Sequence, residues 1–347
     1  MHSLLGLPGA ALTLALAACG GGGGGGGGSA GSPATPGPIT LEQRSGAAAT
    51  TAQSATNACA PIQPFHWQVG DKTGSLASGS VPAGVATPAY TGATLMSIAS
   101  ASKWLYGAYV VQQRQGQLSD EDVKFLTFRS GYTNFSRCLP GQTVDGCEAY
   151  LQNGLHSDAT DGRFSYGGGH MEKHASVNGL GALDNAGLAA AMRAQLGSDI
   201  ALGYSQPQLA GGVFSSADAY AVFLRKILSG QLLMQAALGT HAVCTNPSTC
   251  PRGEAVNTPV PATESYHYSI GHWVEDDPVN GDGAFSSAGA FGFYPWIDAG
   301  KNWYGIVARM DNGGARDPGD PDSAGNGFAS VRCGQLIRKA WISGLSQ

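Results

Sequence analysis

From Phe65 to Val81, apolar residues alternate with small or polar ones on either side of the turn Asp71-Lys72-Thr73-Gly74, and this period of two predicts a hairpin of two short strands. Between Ser102 and Gly116 the apolar positions recur at helical spacing and a glycine stands at the stop position, so Ser100 falls at or just inside a helix N-terminus. From about Leu118 to Leu233 the chain reads as mainly helical with long Gly-rich loops, and its clearest helix runs from Ser216 to Leu228. Strand patterns return in Tyr266 to Val274, Gly289 to Asp298 and Trp303 to Met310, ahead of a closing helix around Val331 to Ile342. Strands at both ends around a helical middle predict an α/β fold. Its antiparallel sheet is built from both chain ends and flanked by helices, and a mainly α lobe is inserted between them.

The segment before Ala60 follows neither period. An apolar stretch from Leu4 to Leu16 reads as a secretory signal, and Leu16-Ala17-Ala18-Cys19 matches all four positions of the bacterial lipobox, whose Cys becomes the lipidated first residue of the mature protein. Met1-His2-Ser3 carries none of the Lys or Arg usual in such a segment. The glycine run Gly20 to Gly28 and a Ser/Ala/Pro/Thr-rich stretch to about Ala60 read as a flexible tether. The expected division is therefore a signal at 1–19, a tether at 20–60 and one domain at 61–347. That layout predicts an exported bacterial cell-envelope lipoprotein, periplasmic or associated with the outer membrane and attached to the membrane through Cys19.

Only 12% of the 347 residues are charged and the net charge is -5, with no block of Lys or Arg, so nucleic acid is not an expected partner. Of seven cysteines, six remain after Cys19, an even number in an exported chain. Cys138 and Cys147 bracket one turn-rich segment and Cys244 and Cys250 another, so each pair is expected to close a local loop, leaving Cys59 to pair with Cys333. No metal site is expected, because neither C-x-x-C nor a matching His spacing occurs and His170-Met171-Glu172-Lys173-His174 lacks the Glu that must follow the first His of a zinc-protease motif. Gly27-Gly28-Ser29-Ala30-Gly31 matches a nucleophile elbow in letters only, having no strand before it or helix after it.

The chemistry sits at Ser100-Ala101-Ser102-Lys103. Residues three apart on a helix share a face, so the Lys103 amine can reach the Ser100 hydroxyl, and a partly desolvated lysine can lose enough of its basicity to act as the base. The text around this pair resembles the superfamily of class C β-lactamases, D,D-peptidases and β-lactamase-like esterases. Ser97-Ile98-Ala99-Ser100-Ala101-Ser102-Lys103-Trp104 is similar to its nucleophile segment, Leu118-Ser119-Asp120-Glu121-Asp122 and Phe125 to Tyr132 to the stretch after it, and Leu209 to Asp218 to its Gly-Gly loop and following helix. The resemblance runs in the family's order from about Phe65 to Ile342. It implies a β-lactamase/transpeptidase-like fold with no cofactor.

The family's Tyr-x-Asn motif aligns with Tyr166, while Gly168 stands where the Asn should be. The resemblance makes Tyr166 a proton shuttle, with a phenol pKa lowered by the neighbouring lysine. The third motif, Lys-Thr-Gly or His-Thr-Gly on an edge strand, aligns with Ser287-Ala288-Gly289, whose Gly matches and whose cation is missing. Lys72-Thr73-Gly74 spells that motif on the wrong side of the nucleophile. The implied oxyanion hole is the backbone N–H of Ser100 and of Ala290. His170 is a candidate for the pocket, Arg163 or Arg309 for a replacement cation, and Trp104, Tyr132, Trp273, Phe293, Tyr294 and Trp296 for an apolar wall, though most of these aromatics read as core.

The expected function is hydrolysis of small carboxylic esters or short amides through an acyl-Ser100 intermediate. The alternatives are a D,D-peptidase or β-lactamase acting on cell-wall peptides or β-lactams, and a non-catalytic penicillin-binding-like envelope protein. The sequence gives no oligomeric state.

Overall fold

In a computed structural model the described residues are 38–84, 89–313 and 325–347. The signal, Cys19 and the glycine run lie outside them. Helix α1 (Leu41–Ala52) precedes the hairpin β1 (Phe65–Asp71) and β2 (Ser75–Val81), and β3 (Met96–Ser97) leads into α2 (Ser102–Gln113). The middle holds α3 (Asp120–Leu126), α4 (Val144–Glu148), β4 (Phe164–Ser165), α5 (Gly169–Ala175), α6 (Asn185–Leu196), β5 (Leu202–Tyr204), β6 (Val213–Ser215), α7 (Ala217–Leu228) and α8 (Met234–Ala237). The last third is β7 (Val243–Cys244), β8 (Ala255–Asn257), β9 (His267–Tyr268), β10 (Trp273–Glu275), β11 (Ala284–Ser286), β12 (Tyr294–Ile297), β13 (Trp303–Ala308) and α9 (Gly325–Ser343).

Eight strands form one sheet in the order β2-β1-β13-β12-β11-β10-β9-β7, every neighbour antiparallel. The N-terminal hairpin and the C-terminal strands meet where β1 pairs with β13, His66 opposite Ala308 and Asp71 opposite Trp303. Both faces are covered. Successive residues of a strand point to opposite faces, and on β13 the Trp303 ring packs at a tilt against Trp341 of α9 while Tyr304 meets Arg225 of α7. Gly334 lets α9 approach closely, since a Cβ there would collide with the Tyr294 and Trp296 rings.

The predicted disulfides are all present, Cys59–Cys333, Cys138–Cys147 and Cys244–Cys250. The expected tether is shorter than its composition suggested, because residues 41–52 form a capped helix. Thr40 accepts from Gln43 N–H and the Gln43 side chain accepts from Thr40 N–H. This helix buries Ala47, Ala48, Thr51 and Ala52, a face of small residues that carries no large apolar side chain to mark it in sequence. Arg44 fastens it to the other end of the chain by donating to the Trp341 carbonyl at 2.6 Å.

Candidate active site

A small sheet holds the serine in place. β3 pairs with β6, the Ile98 N–H donates to the Val213 carbonyl at 3.0 Å, and the Val213 N–H donates to Ser102 Oγ at 3.2 Å. Between these fixed points Ala99 adopts φ of 43°, a left-handed conformation that penalises a residue with a Cβ. The turn delivers Ser100, half-buried, at the mouth of two cavities.

Lys103 lies one turn along, buried, with Nζ donating to Ser100 Oγ at 2.9 Å and to the Ala210 carbonyl at 2.7 Å. It forms no ion pair among the described residues. Removal from water disfavours the ammonium and lowers its pKa to about 7, against an upward pull from Glu172. A large fraction of the amine is thus neutral near pH 7.

Tyr166 packs its ring under Lys103, whose Nζ is 4.9 Å from the ring centroid, and stacks on Trp273 at 5.3 Å. Its phenol does not have the lowered pKa that the family resemblance implies. Burial pushes it up to about 12, with Ser100 as the opposing influence, because a lysine that loses its own proton near 7 leaves no charge to draw the phenol down. Tyr166 keeps its proton at neutral pH.

The third-motif segment also departs from expectation. β11 is an interior strand between β10 and β12, so Ser287-Ala288-Gly289 is not on an edge of the sheet. Beyond Ser286 the β10 ladder has ended, and Ser287 and Gly289 pair only towards β12, through Pro295 and Phe293. The freed side faces the Ser100 turn, where Ser287 Oγ donates to the Ser100 carbonyl at 3.1 Å and a Cβ on Gly289 would collide with the Ile98 carbonyl. Gly289 to Phe293 forms a tight turn rather than the expected strand, and it leaves Ala290 exposed in the cavity wall opposite Ser100.

His170 does not enter the pocket. It is fully buried, donates from Nε2 to the Ser165 carbonyl at 2.9 Å and so accepts at Nδ1 from Ser130 Oγ at 2.7 Å. Burial lowers its pKa to about 4, which keeps it neutral as a clasp on the Tyr166 loop. Arg163 is taken up by the Gly253 and Ala159 carbonyls, and Arg309 by Ser330, Asn326 and Asp311. Among the described residues, neither replaces the missing cation.

The two cavities differ in character. One of about 360 Å³ has Trp273, Ala288, Phe291 and Phe328 as its apolar wall and Asp311 at its rim. The other, about 380 Å³, is lined by Lys103, Gly167, Ser205, Gln206, Gln208 and Gly211. Ser100 and Tyr166 line both. Of the aromatics proposed from sequence, Trp273 reaches a cavity, while Trp104, Phe293, Tyr294 and Trp296 are core. The sequence reading missed Phe291 and Phe328, which no motif marks, and Glu172, a fully buried carboxyl whose pKa burial pushes up to about 8.

No family profile and no curated protein sequence matches this chain. Solved structures do. A D-stereospecific amidohydrolase from a Streptomyces species is similar with a TM-score of 0.54 at 10% identity, covering 88% of this chain and 100% of its own. A penicillin-binding protein homologue from Pyrococcus abyssi gives 0.55 at 13% identity over 82% of this chain and 74% of its own. A β-lactamase from Mycobacterium bovis gives 0.51 at 14% identity, over 82% and 96%. The chain has the serine β-lactamase-like fold.

Proposed function

We propose that the protein is a serine hydrolase that cleaves neutral carboxylic esters or short amides through an acyl-Ser100 intermediate. One observation carries the reading: a lysine amine with a pKa near 7 lies 2.9 Å from the hydroxyl it must deprotonate. Lys103 takes the Ser100 proton as Oγ bonds to the substrate carbonyl carbon. The resulting oxyanion accepts from the N–H groups of Ser100 and Ala290. As the tetrahedral intermediate collapses, Tyr166 gives its proton to the leaving oxygen or nitrogen and recovers one from the Lys103 ammonium. Water then attacks the acyl carbon with Lys103 again as base, and the acid departs as Ser100 regains its proton.

The apolar cavity suits the acyl chain, and the Gln-lined cavity suits a polar, uncharged leaving group. A β-lactam brings a carboxylate beside its reactive ring, and the described apolar wall offers it no unpaired cation, its charged residue being Asp311, itself paired with Arg309. On one preparation, p-nitrophenyl butyrate should therefore give a higher kcat/KM than nitrocefin, and the reverse order would overturn the preference. The likeness to a penicillin-binding protein homologue and a D-stereospecific amidohydrolase makes a D-Ala-D-Ala peptide the third substrate to test. A fluorophosphonate probe that leaves Ser100 unlabelled would favour a non-catalytic envelope protein.

We further propose export and lipid attachment at Cys19, supported by Leu16-Ala17-Ala18-Cys19. Labelled palmitate should enter the wild type and not Cys19→Ser, and equal incorporation would remove the anchor.

A further inference from the structure

The steps above leave one buried ionisable group at the site unused. Glu172 is 1% exposed on α5. Its Oε1 accepts from the Ala210 N–H at 3.2 Å, and its Oε2 has no hydrogen-bond partner. The carbonyl of that same residue, Ala210, accepts from Lys103 Nζ at 2.7 Å. Lys103 and Glu172 therefore grip one short backbone segment from its two polar ends, and the segment belongs to the Gly-rich loop that walls the polar cavity.

We infer that Glu172 is a positioning residue for the acyl transfer, its buried carboxyl holding the Ala210 backbone that orients the Lys103 amine. This rests on Ser100 being the nucleophile. An unpartnered carboxylate oxygen in the interior is costly, and a carboxylic acid is not. Burial accordingly keeps the Glu172 proton up to about pH 8, while Lys103 gives up its own near 7. Glu172 is therefore uncharged when Lys103 titrates, and it acts on the amine through the Ala210 backbone.

The surrounding ionisable groups do not take over this part. Tyr106 of α2 and Tyr204 of β5 are driven further towards their neutral forms, by burial first and then by Glu172, and Tyr166 remains a phenol. His170 is neutral, and His174 is held between Tyr106 and Asp122 of α3. On α4, Asp145 and Glu148 engage Ser176 and Lys173.

Glu172→Gln keeps the accepting oxygen and the shape but cannot become negative. In the full chain, with p-nitrophenyl butyrate, Glu172→Leu, which removes the acceptor, should lower kcat more than it raises KM, and Glu172→Gln should restore kcat with the acid limb of kcat/KM left near pH 7, because Glu172 is already uncharged when Lys103 loses its proton. Fluorophosphonate labelling of Ser100 should slow in Glu172→Leu and recover in Glu172→Gln. If the wild type labels and Glu172→Leu is as fast as the wild type, or Glu172→Gln is as slow as Glu172→Leu, the inference fails while the hydrolase reading stands. If the wild type does not label, the hydrolase reading itself has failed. Should Glu172→Gln not fold, carboxyl ¹³C NMR of the wild type decides: one glutamate titrating near 8 supports the inference, and all glutamates in the ordinary range overturn it.

Discussion

The fold treats two of its buried cationic side chains in opposite ways. Around Arg338, on α9, each charge is answered: the guanidinium meets Glu275 at 2.7 Å, Asp282 at 2.5 Å and the Tyr294 hydroxyl at 2.9 Å, and Tyr294 in turn donates to Glu275 at 2.6 Å. Around Lys103 the amine has only a hydroxyl and a carbonyl, and the nearest carboxyl has an empty oxygen. Both clusters bear the penalty of desolvation. In the first the partners cancel it and the pair fastens α9 to the sheet. In the second it remains, and appears as groups whose proton affinities converge near neutral pH. A well-paired buried charge is structural, and an under-paired one is available for chemistry.

That contrast can be broken by experiment. Ser100→Ala and Lys103→Ala should each reduce kcat/KM by roughly 10⁴ to 10⁶-fold, and the double variant should be little worse than either, because the two act as one proton-transfer unit. Additive losses would mean that they work separately. Tyr166→Phe keeps the ring against Trp273 and removes the donor, so it should cost about 10² to 10⁴-fold in rate with little loss of stability; a full-rate enzyme would remove the second motif from the chemistry. Arg338→Ala should do the reverse. It leaves Glu275 and Asp282 uncompensated and should destabilise by about 3 to 5 kcal/mol in urea unfolding, while the kcat/KM of the folded fraction and its pH profile stay unchanged. The mildest test is pH alone. Because the base is active only when deprotonated, kcat/KM should rise through pH 7 as Lys103 loses its proton and show no alkaline decline from Tyr166 until about 12.

The parts of this molecule legible in sequence are those set by local spacing. Ser100 and Lys103 are three apart on a helical turn, and the β1–β2 hairpin follows a strict alternation around a turn. Cys138–Cys147 and Cys244–Cys250 close loops of 9 and 6 residues. What escaped depends on contacts between distant segments. Glu172 gains its character from a peptide 38 residues away, and nothing near it in sequence marks it as buried. Helix α1 hides a face of small alanines whose burial comes only from the packing of α9 at the other end of the chain. The Tyr166 phenol was read from its neighbour's charge, which the same burial had already weakened.

The bridge between Cys59 and Cys333 has a mechanical consequence. It closes a covalent ring over a sequence separation of 274, with the entire site inside it. Tension applied between residue 38 and the C-terminus passes through α1 and the end of α9 and then across a single sulfur–sulfur bond. Everything from β1 to β13 lies off that load path. Stretching can strip away Arg44 and the last turns of α9, yet the pulled segments, 38–59 and 333–347, span at most about 3.3 to 3.6 Å per residue when the chain is taut. Reduction of the one bond would put Ser100, Lys103 and Glu172 in series with the strain.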